Sequence, residues 1–134
     1  DAGTGTGVLS VMCILRGARH VLAYDIDEWS TDNARDNLLL NGIGSARVEV
    51  RLGDASALKP TDRAHLLMAN INRNILLADM QQFVLSLEAG GQLLLSGFYE
   101  QDIPLLAEAA SRYGMRLVEK RVEDHWAMLL LQKG

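Results

Sequence analysis

The sequence has few of the residues that define several large classes of protein. Its single cysteine, Cys13, cannot form an internal disulfide and lies in an apolar run, so we expect a core residue in a protein of the reducing cytoplasm. Cysteine clusters and paired histidines at metal-ligand spacing are absent, so no metal site is predicted. No apolar run approaches the roughly 18 residues of a membrane span, and no signal peptide precedes the first motif.

The sequence also has no large excess of positive or negative charge. The 13 lysines and arginines are outnumbered by 17 acidic residues, and they form no basic run, so we expect no direct binding of nucleic acid. The composition is otherwise that of a folded protein, with 49% hydrophobic residues in 134. We find no linker, repeat or low-complexity tract and treat residues 1–134 as one domain.

The most informative stretch is the first seven residues, DAGTGTG, in which glycine recurs at every second position. Glycines at this spacing allow a strand-to-helix turn with positive φ angles and close backbone approach to a ligand. Dehydrogenase loops usually read G-x-G-x-x-G, whereas the alternating form behind an acid is typical of loops that bind S-adenosylmethionine (SAM). A tight surface turn is the alternative. Such a loop normally follows a central strand, so we expect that strand to lie upstream of Asp1 and the chain to be a fragment.

Helical and strand patterns alternate along most of the chain, which predicts an α/β fold with a doubly wound, mostly parallel sheet. Only three residues separate the last two strands, so these should form an antiparallel hairpin. Asp102 is the expected N-cap of the last helix. The predicted helices are Val8–Leu15, Glu28–Asn41, Ile75–Leu87 and Ile103–Tyr113. The predicted strands are His20–Ile26, Arg47–Leu52, His65–Ala69 (buried), Gln92–Ser96 (after a turn at residues 88–91), Arg116–Val122 and Trp126–Leu131.

Polar residues follow the predicted parallel strands at their carboxyl ends. Asp25 ends the first complete strand, Asp54 follows the next, and Asn70 follows the third. Because ligands of open α/β sheets lie across the carboxyl ends of the strands, these side chains and the glycine loop are expected at one rim.

Five segments in this order carry a family resemblance: DAGTGTGVLS, YDIDEWSTDNARDNLLLNG, ANI, EAGGQLLLSGFYEQ and DHWAMLLL. Over its whole length the chain resembles the Rossmann-like class I SAM-dependent methyltransferases, and more narrowly the PrmA family of ribosomal protein L11 methyltransferases. The resemblance implies SAM as cofactor and amino groups of a large-subunit ribosomal protein, on lysine side chains or the N-terminus, as methyl acceptors. Family members also carry a small N-terminal domain that docks the ribosomal protein and is not among these residues. The chain departs from the family at Glu88-Ala89, usually Lys-Pro, and at Asn72-Arg73, commonly leucine and alanine.

The chemistry of SAM assigns expected roles to the polar residues. Asp25 should accept hydrogen bonds from the ribose diol, and Asp54 from the adenine amino group, although Asp54 is equally explained by a Gly-Asp turn. Asp1 could accept from the methionine ammonium or brace the loop, and Asp27 suits a helix N-cap better than a cofactor contact. The predicted cofactor-binding set is Asp1, Gly3, Thr4, Gly5, Gly7, Asp25, Ile26, Asp54, Ala55 and Asn70.

Asn70 is also the predicted catalytic residue. Its amide oxygen could hold a substrate amine with the lone pair aimed at the methyl group. No residue is identifiable as a general base. Phe98 could wall the substrate pocket, and Trp126 is expected to pack in the core more than to line that pocket.

Two other kinds of function remain open at this point. The first is another class I methyltransferase, acting on a glutamine side chain, a nucleic-acid base or a small molecule; glutamine and base enzymes usually carry N-P-P-Y where this chain has N-I-N-R at residues 70–73. The second is a non-catalytic SAM-fold domain used for binding. An intact set of cofactor residues argues against the second.

Overall fold

A computed structural model describes all residues, 1–134, and these divide into two compact units. The N-terminal unit is Asp1–Ala57 and the C-terminal unit is Leu58–Gly134. Both combine helices with parallel strands, and the chain closes with an antiparallel hairpin, so the predicted α/β class is confirmed. None of the helices is long and apolar enough to cross a membrane.

The N-terminal unit contains two helices and a pair of parallel strands. Val21 lies opposite Val48 and Asp25 opposite Leu52, so both strands end at the same edge. Ala2 forms a further parallel bridge with Tyr24. The elements are α1 (Val8–Leu15), β1 (Val21–Asp25), α2 (Glu28–Leu40), β2 (Val48–Leu52) and a short 3₁₀ helix (Ala55–Ala57).

Apolar side chains at helical spacing hold this unit together, and its second helix begins at a side-chain cap. Asp27 accepts a hydrogen bond from the amide of Trp29 at 3.2 Å, which confirms it as the N-cap of α2. Burial of the core apolar surface supplies the main stabilisation, about 25 cal/mol per Å² removed from water. The core cluster is Val11, Ile14, Val21, Leu38, Ile43 and Val48.

The C-terminal unit is built on a four-stranded sheet with the order β3-β4-β6-β5. β3 and β4 are parallel, whereas β6 pairs antiparallel with both β4 and β5. The predicted hairpin is therefore confirmed, and its second strand lies inside the sheet. The elements are β3 (Ala64–Asn70), α3 (Arg73–Leu85), β4 (Leu87–Tyr99), a short 3₁₀ helix (Glu100–Asp102), α4 (Ile103–Ser111), β5 (Met115–Glu123) and β6 (Trp126–Lys133).

Alternating leucines on the central strands form the core of this unit. Leu93 and Leu95 of β4 and Leu129 and Leu131 of β6 are all completely buried. Phe83 of α3 is equally buried. The alternation is expected of strands with one face on the core, because successive side chains point to opposite faces.

Two predicted strands differ from the structure. β4 begins at Leu87 and continues through the expected turn, because pairing passes from Ala64–Leu87 to Leu66–Gln92 and residues 88–91 bulge out of the ladder. Gly90, with φ +76°, allows this bulge. The prediction that the strand is confined to residues 92–96 was wrong. β3 is only partly buried, since His65 and Leu66 are exposed.

Two helix starts also differ. Asp102 occupies the N-cap position of α4, but its side chain caps nothing and accepts instead from Arg73 Nη1 at 3.0 Å. An ion pair has replaced the expected cap. α3 begins at Arg73, before the predicted Ile75, because the Asn72 side chain accepts from the Ile75 amide at 3.1 Å and so caps the helix earlier.

Candidate active site

The glycine loop has the backbone conformation that its sequence predicts. Gly3, Gly5 and Gly7 have φ angles of +68°, +56° and +81°, a region that other residues adopt only with strain. The Gly3 and Thr4 amides both donate to the Tyr24 carbonyl, at 2.9 and 3.0 Å. The loop is therefore fixed to the end of β1 and leads directly into α1.

Asp25 connects this loop to the start of α2. Its Oδ2 accepts from the Gly5 amide at 2.9 Å, and its Oδ1 accepts from the Asp27 amide at 3.0 Å. A carboxylate has about four lone-pair sites, so two remain for hydroxyl donors. The structure thus brings Asp25 and the loop together, as the sequence predicts, and it also gives Asp25 a bracing role that the sequence did not reveal.

Asp1 braces the loop from within. Its Oδ2 accepts hydrogen bonds from the hydroxyls of Thr4 and Ser10, both at 2.8 Å. Thr4 and Ser10 are buried, so the pair of bonds satisfies hydroxyls that water cannot reach. Of the two predicted roles of Asp1, bracing is the one visible in the structure. Contacts of Asp1 and Thr4 with a cofactor stay predictions.

α2 supports the loop from its other side. A Cβ on Gly7 would lie 3.1 Å from both Cα and Cβ of Ala34, a fully buried residue of α2. Asn37, one turn further along, donates from Nδ2 to the Thr6 carbonyl at 2.8 Å. Gly7 is therefore required for close packing of the loop on α2 as well as for its positive φ.

The end of β2 adds a second carboxylate and an apolar surface to this edge. Asp54 Oδ1 accepts from the Ser56 amide at 2.9 Å and from the Ser56 hydroxyl, and these bonds lower the pKa of Asp54 below its ordinary value. Ile26, which follows Asp25, is 72% exposed. Leu52, which lies opposite Asp25 on β2, is 54% exposed. Ala55, by contrast, is buried.

A separate open cleft of about 970 Å³ lies within the C-terminal unit, at the end of β3 and β4 and beside the final hairpin. It contains both polar and apolar side chains. The lining residues are Asn70, Ile71, Asn72, Ser96, Gly97, Arg121, Val122, Glu123, Trp126, Ala127 and Met128.

Asn70 ends β3 in this cleft, and its position depends on a glycine. Its side chain is exposed and makes no hydrogen bond in the structure. Gly97 lies at a register shift of β4 with φ +89°, and a Cβ there would lie 2.8 Å from Asn70 Oδ1. A bulge of this kind often redirects side chains beside functional sites. Gly97 therefore provides the space in which the Asn70 amide lies.

Trp126 and Phe98 each lie in the environment that the sequence analysis expected for the other. Trp126 is 50% exposed, lines the cleft and stacks on Tyr99 with ring centroids 4.3 Å apart. Phe98 is 2% exposed and belongs to the core. The register shift before Phe98 turns Phe98 inward and Tyr99 outward. Trp126 faces outward because alternate residues of β6, beginning at Ala127, are the buried ones.

The two residues that depart from the family pattern have local structural roles. Asn72 caps α3, and Arg73 pairs with Asp102, whose side chain is largely buried. The pair and the cap fix the segment that follows Asn70. The sequence analysis did not predict these contacts, and it did not predict that Ser96, Gly97 and Glu123 line the cleft. The Ser-Gly pair that follows a strand of leucines was the one available sequence signal for a site there.

Comparison with known proteins decides the family. The profile of the family described as ribosomal protein L11 methyltransferase (PrmA) matches residues 1–134. The chain belongs to the PrmA family. It is similar to the ribosomal protein L11 methyltransferases of Phocaeicola vulgatus, with 44% identity over 127 residues, and of Porphyromonas gingivalis, with 47% over 129 residues. These matches cover 95% and 96% of this chain and 44% of each relative, so the chain spans less than half the length of the PrmA proteins it matches.

Solved structures agree with the PrmA assignment. The ribosomal protein L11 methylase of Lactobacillus delbrueckii subsp. bulgaricus matches with a TM-score of 0.90 and 29% identity, covering 100% of this chain and 69% of that one. A methyltransferase from Pyrococcus furiosus matches with a TM-score of 0.82 at 18% identity, covering 98% of this chain and 72% of that one, which indicates a shared fold.

Membership of the PrmA family implies SAM-dependent chemistry. The N-terminal unit has hydrogen-bond acceptors, apolar surface and free backbone amides that fit the parts of SAM. Asp25 and Asp54 keep free acceptor capacity for hydroxyl and amino donors. Ile26 and Leu52 offer exposed apolar surface for a base. The first amides of α1 have no intrahelical partners and can face a carboxylate. Asn70 belongs to the other unit, and its contact with a cofactor stays a prediction.

Proposed function

We propose that residues 1–134 form the catalytic domain of a SAM-dependent protein methyltransferase. Its acceptors are amino groups, on lysine side chains or the N-terminus, of the large-subunit ribosomal protein L11. This substrate is the one in the names of the relatives and of the family. The protein works in the cytoplasm and needs no direct contact with nucleic acid or membrane.

Asn70 in its cleft is the observation that carries this proposal. Its amide has both a donor and an acceptor, neither is used within the protein, and the cleft also presents the exposed face of Trp126. An alkyl amine matches both features, since its nitrogen can donate to the amide oxygen while its methylene chain packs on the ring.

SAM, when bound, supplies a methyl group that is already activated by its sulfonium. The protein must therefore position a neutral amine, and Asn70 Oδ1 can do so by accepting one amine N–H, which directs the nitrogen lone pair away from the amide. Neutralising a lysine of ordinary pKa ~10.4 at pH 7 costs about 4.6 kcal/mol. Partial desolvation against Trp126 lowers that cost, because burial disfavours the charged form.

The N-terminal unit holds the cofactor in this proposal. Asp25 accepts the ribose hydroxyls, Asp54 accepts from the adenine amino group, and Ile26 lies against the base. The α1 amides and the glycine loop hold the methionine end. The loop and the two carboxylates are already held by hydrogen bonds within the protein, so little ordering of these groups is needed on binding.

Two measurements test the proposal on the full-length protein that carries this chain. Calorimetry should show saturable SAM binding, and incubation with ribosomal protein L11 and labelled SAM should transfer label to the protein. An absence of binding at millimolar SAM would refute the cofactor assignment. Binding without transfer to L11 would refute the substrate and favour a non-catalytic or differently directed domain.

A further inference from the structure

The charges that line the cleft of the C-terminal unit do not cancel. Arg121 and Glu123 are its charged lining residues, and both lie on β5. Arg121 is already paired, since its guanidinium contacts Glu119 Oε1 at 3.1 Å through both Nε and Nη2. Glu123 has no ion pair and no side-chain hydrogen bond in the structure. The cleft therefore carries one uncompensated negative charge.

The hairpin turn places this carboxylate next to an aromatic ring. Glu123 pairs directly with Trp126 across the turn formed by Asp124 and His125. Both turn residues have positive φ angles, +49° and +68°, which is strained for residues with side chains. The Nδ1 atom of His125 lies within hydrogen-bond distance, 2.8 Å, of Glu100 Oε1. Directly opposite residues in a hairpin have Cβ atoms about 5 Å apart, so the carboxylate and the ring face the same small volume.

A carboxylate beside an exposed ring face is suited to one chemical class of ligand, an alkylammonium ion. The carboxylate attracts the charge, and the ring adds a cation–π contact. A phosphate is repelled by the carboxylate, and a neutral amide can donate a hydrogen bond to it but gains neither the charge attraction nor the cation–π contact.

We propose that Glu123 is a specificity-determining residue that draws a protonated amine side chain to Trp126 before methyl transfer. This inference rests on the proposed function. Glu123 binds the charged form of the acceptor, whereas Asn70 positions the neutral form that reacts. A carboxylate that favours the ammonium ion does not help to deprotonate it, so loss of Glu123 should raise KM and should not lower kcat.

The test is steady-state methylation of ribosomal protein L11 by the full-length protein. Glu123→Gln should raise KM for L11 about threefold to fivefold, the size of one exposed charge interaction, with no fall in kcat. Arg121→Gln should lower KM, because it leaves Glu119 on the same strand without its ion-pair partner and so adds a second uncompensated carboxylate. Glu88→Gln removes an exposed acid that is not a cleft residue, and it serves as the matched control with KM unchanged. Added salt should raise KM less in Glu123→Gln than in the wild type, because exposed charges are screened.

These outcomes separate the inference from the function on which it rests. Equal KM values for Glu123→Gln, Glu88→Gln and wild type, with normal transfer, would overturn the role of Glu123 alone. A fall in kcat at constant KM would also overturn it, since that pattern indicates a role in the reacting complex. Absence of transfer by the wild type would overturn the proposed function and this inference together. Unchanged SAM affinity in each variant confirms that the protein is folded.

Discussion

The glycine loop of the N-terminal unit and the cleft of the C-terminal unit satisfy their polar groups in opposite ways. In the loop, Asp1 and Asp25 already accept hydrogen bonds from hydroxyls and backbone amides of the same unit. In the cleft, the side chains of Asn70 and Glu123 accept none. The loop is hydrogen-bonded within the protein before any ligand arrives, whereas Asn70 and Glu123 keep hydrogen-bonding capacity that a ligand can use.

This difference matches the demands of the two proposed ligands. A cofactor is the same molecule in every cycle, so a preformed site saves the ordering cost of binding each time. An acceptor side chain arrives on a protein surface and must be turned until its lone pair is correctly aimed. The side chains of Asn70 and Glu123, which have unused hydrogen-bonding capacity, can bind the acceptor as it turns. The comparison predicts that substitutions in the two regions affect different steps.

The largest effect is expected at Asn70. Asn70→Ala should lower kcat for L11 methylation about 100-fold, the scale of losing one positioned polar group, and a smaller loss of SAM affinity would reflect its predicted cofactor contact. Kinetics and calorimetry measure the two quantities. Asn72→Ala is the control, because Asn72 also lines the cleft but caps α3; it should cost about 1 kcal/mol of stability and change kcat little. Unchanged methylation in Asn70→Ala would refute its catalytic role.

Asp25→Ala should affect the other step. It removes acceptors for the Gly5 and Asp27 amides as well as for the ribose, so SAM should bind about 30-fold more weakly, equivalent to about 2 kcal/mol. Calorimetric titration of SAM measures this loss. Asp36→Ala, at an exposed acid of α2, should leave the affinity unchanged. If both variants bound SAM as the wild type does, the loop would not be the cofactor site.

Gly97 tests whether Asn70 depends on its neighbour. Gly97→Ala places a methyl group 2.8 Å from Asn70 Oδ1, so methylation should slow about tenfold. Gly114→Ala is a close control, because Gly114 has φ +81° against +89° at Gly97 and an added Cβ there meets no atom within 4 Å. Both variants should lose about 1 kcal/mol of stability from the positive φ, and Gly97→Ala should lose more, because its Cβ would also lie 2.9 Å from the Ile71 carbonyl oxygen. Equal rates in the two would show that backbone strain, not the contact, is responsible.

The smallest effect concerns Asp54. The Ser56 hydrogen bonds lower its pKa, so the folded state favours the carboxylate and gains stability that is lost as pH falls through that lowered pKa. Ser56→Ala should move the Asp54 titration, followed by NMR, upward toward the ordinary value. SAM affinity should then begin to decline at a higher pH than in the wild type. An unchanged titration would mean that Ser56 is not the cause of the shift.

The sequence was a good guide where one local rule applies. The alternating glycines predicted the backbone conformation of the loop, and Asp27 was predicted as the N-cap of α2. The ends of the parallel strands were predicted to carry Asp25, Asp54 and Asn70. These depend on φ preferences, on capping and on the direction of parallel strands.

Long-range register was beyond the reach of the sequence. The bulges near Gly90 and Gly97 decide which face each residue of β4 meets, and glycine there indicates a bulge without specifying the register that follows it. The bulge at Gly97 turned Phe98 into the core and Tyr99 outward. The Arg73–Asp102 pair, which displaced a helix cap, likewise joins residues distant in sequence.

Mass-spectrometric mapping of L11 after incubation with SAM and the full-length protein tests the central claim most directly. The account predicts methyl groups on amino nitrogens, of lysine side chains or the N-terminus, and their loss with Asn70→Ala. Methyl groups on glutamine amides, or an unmodified L11 in the presence of bound SAM, would contradict it.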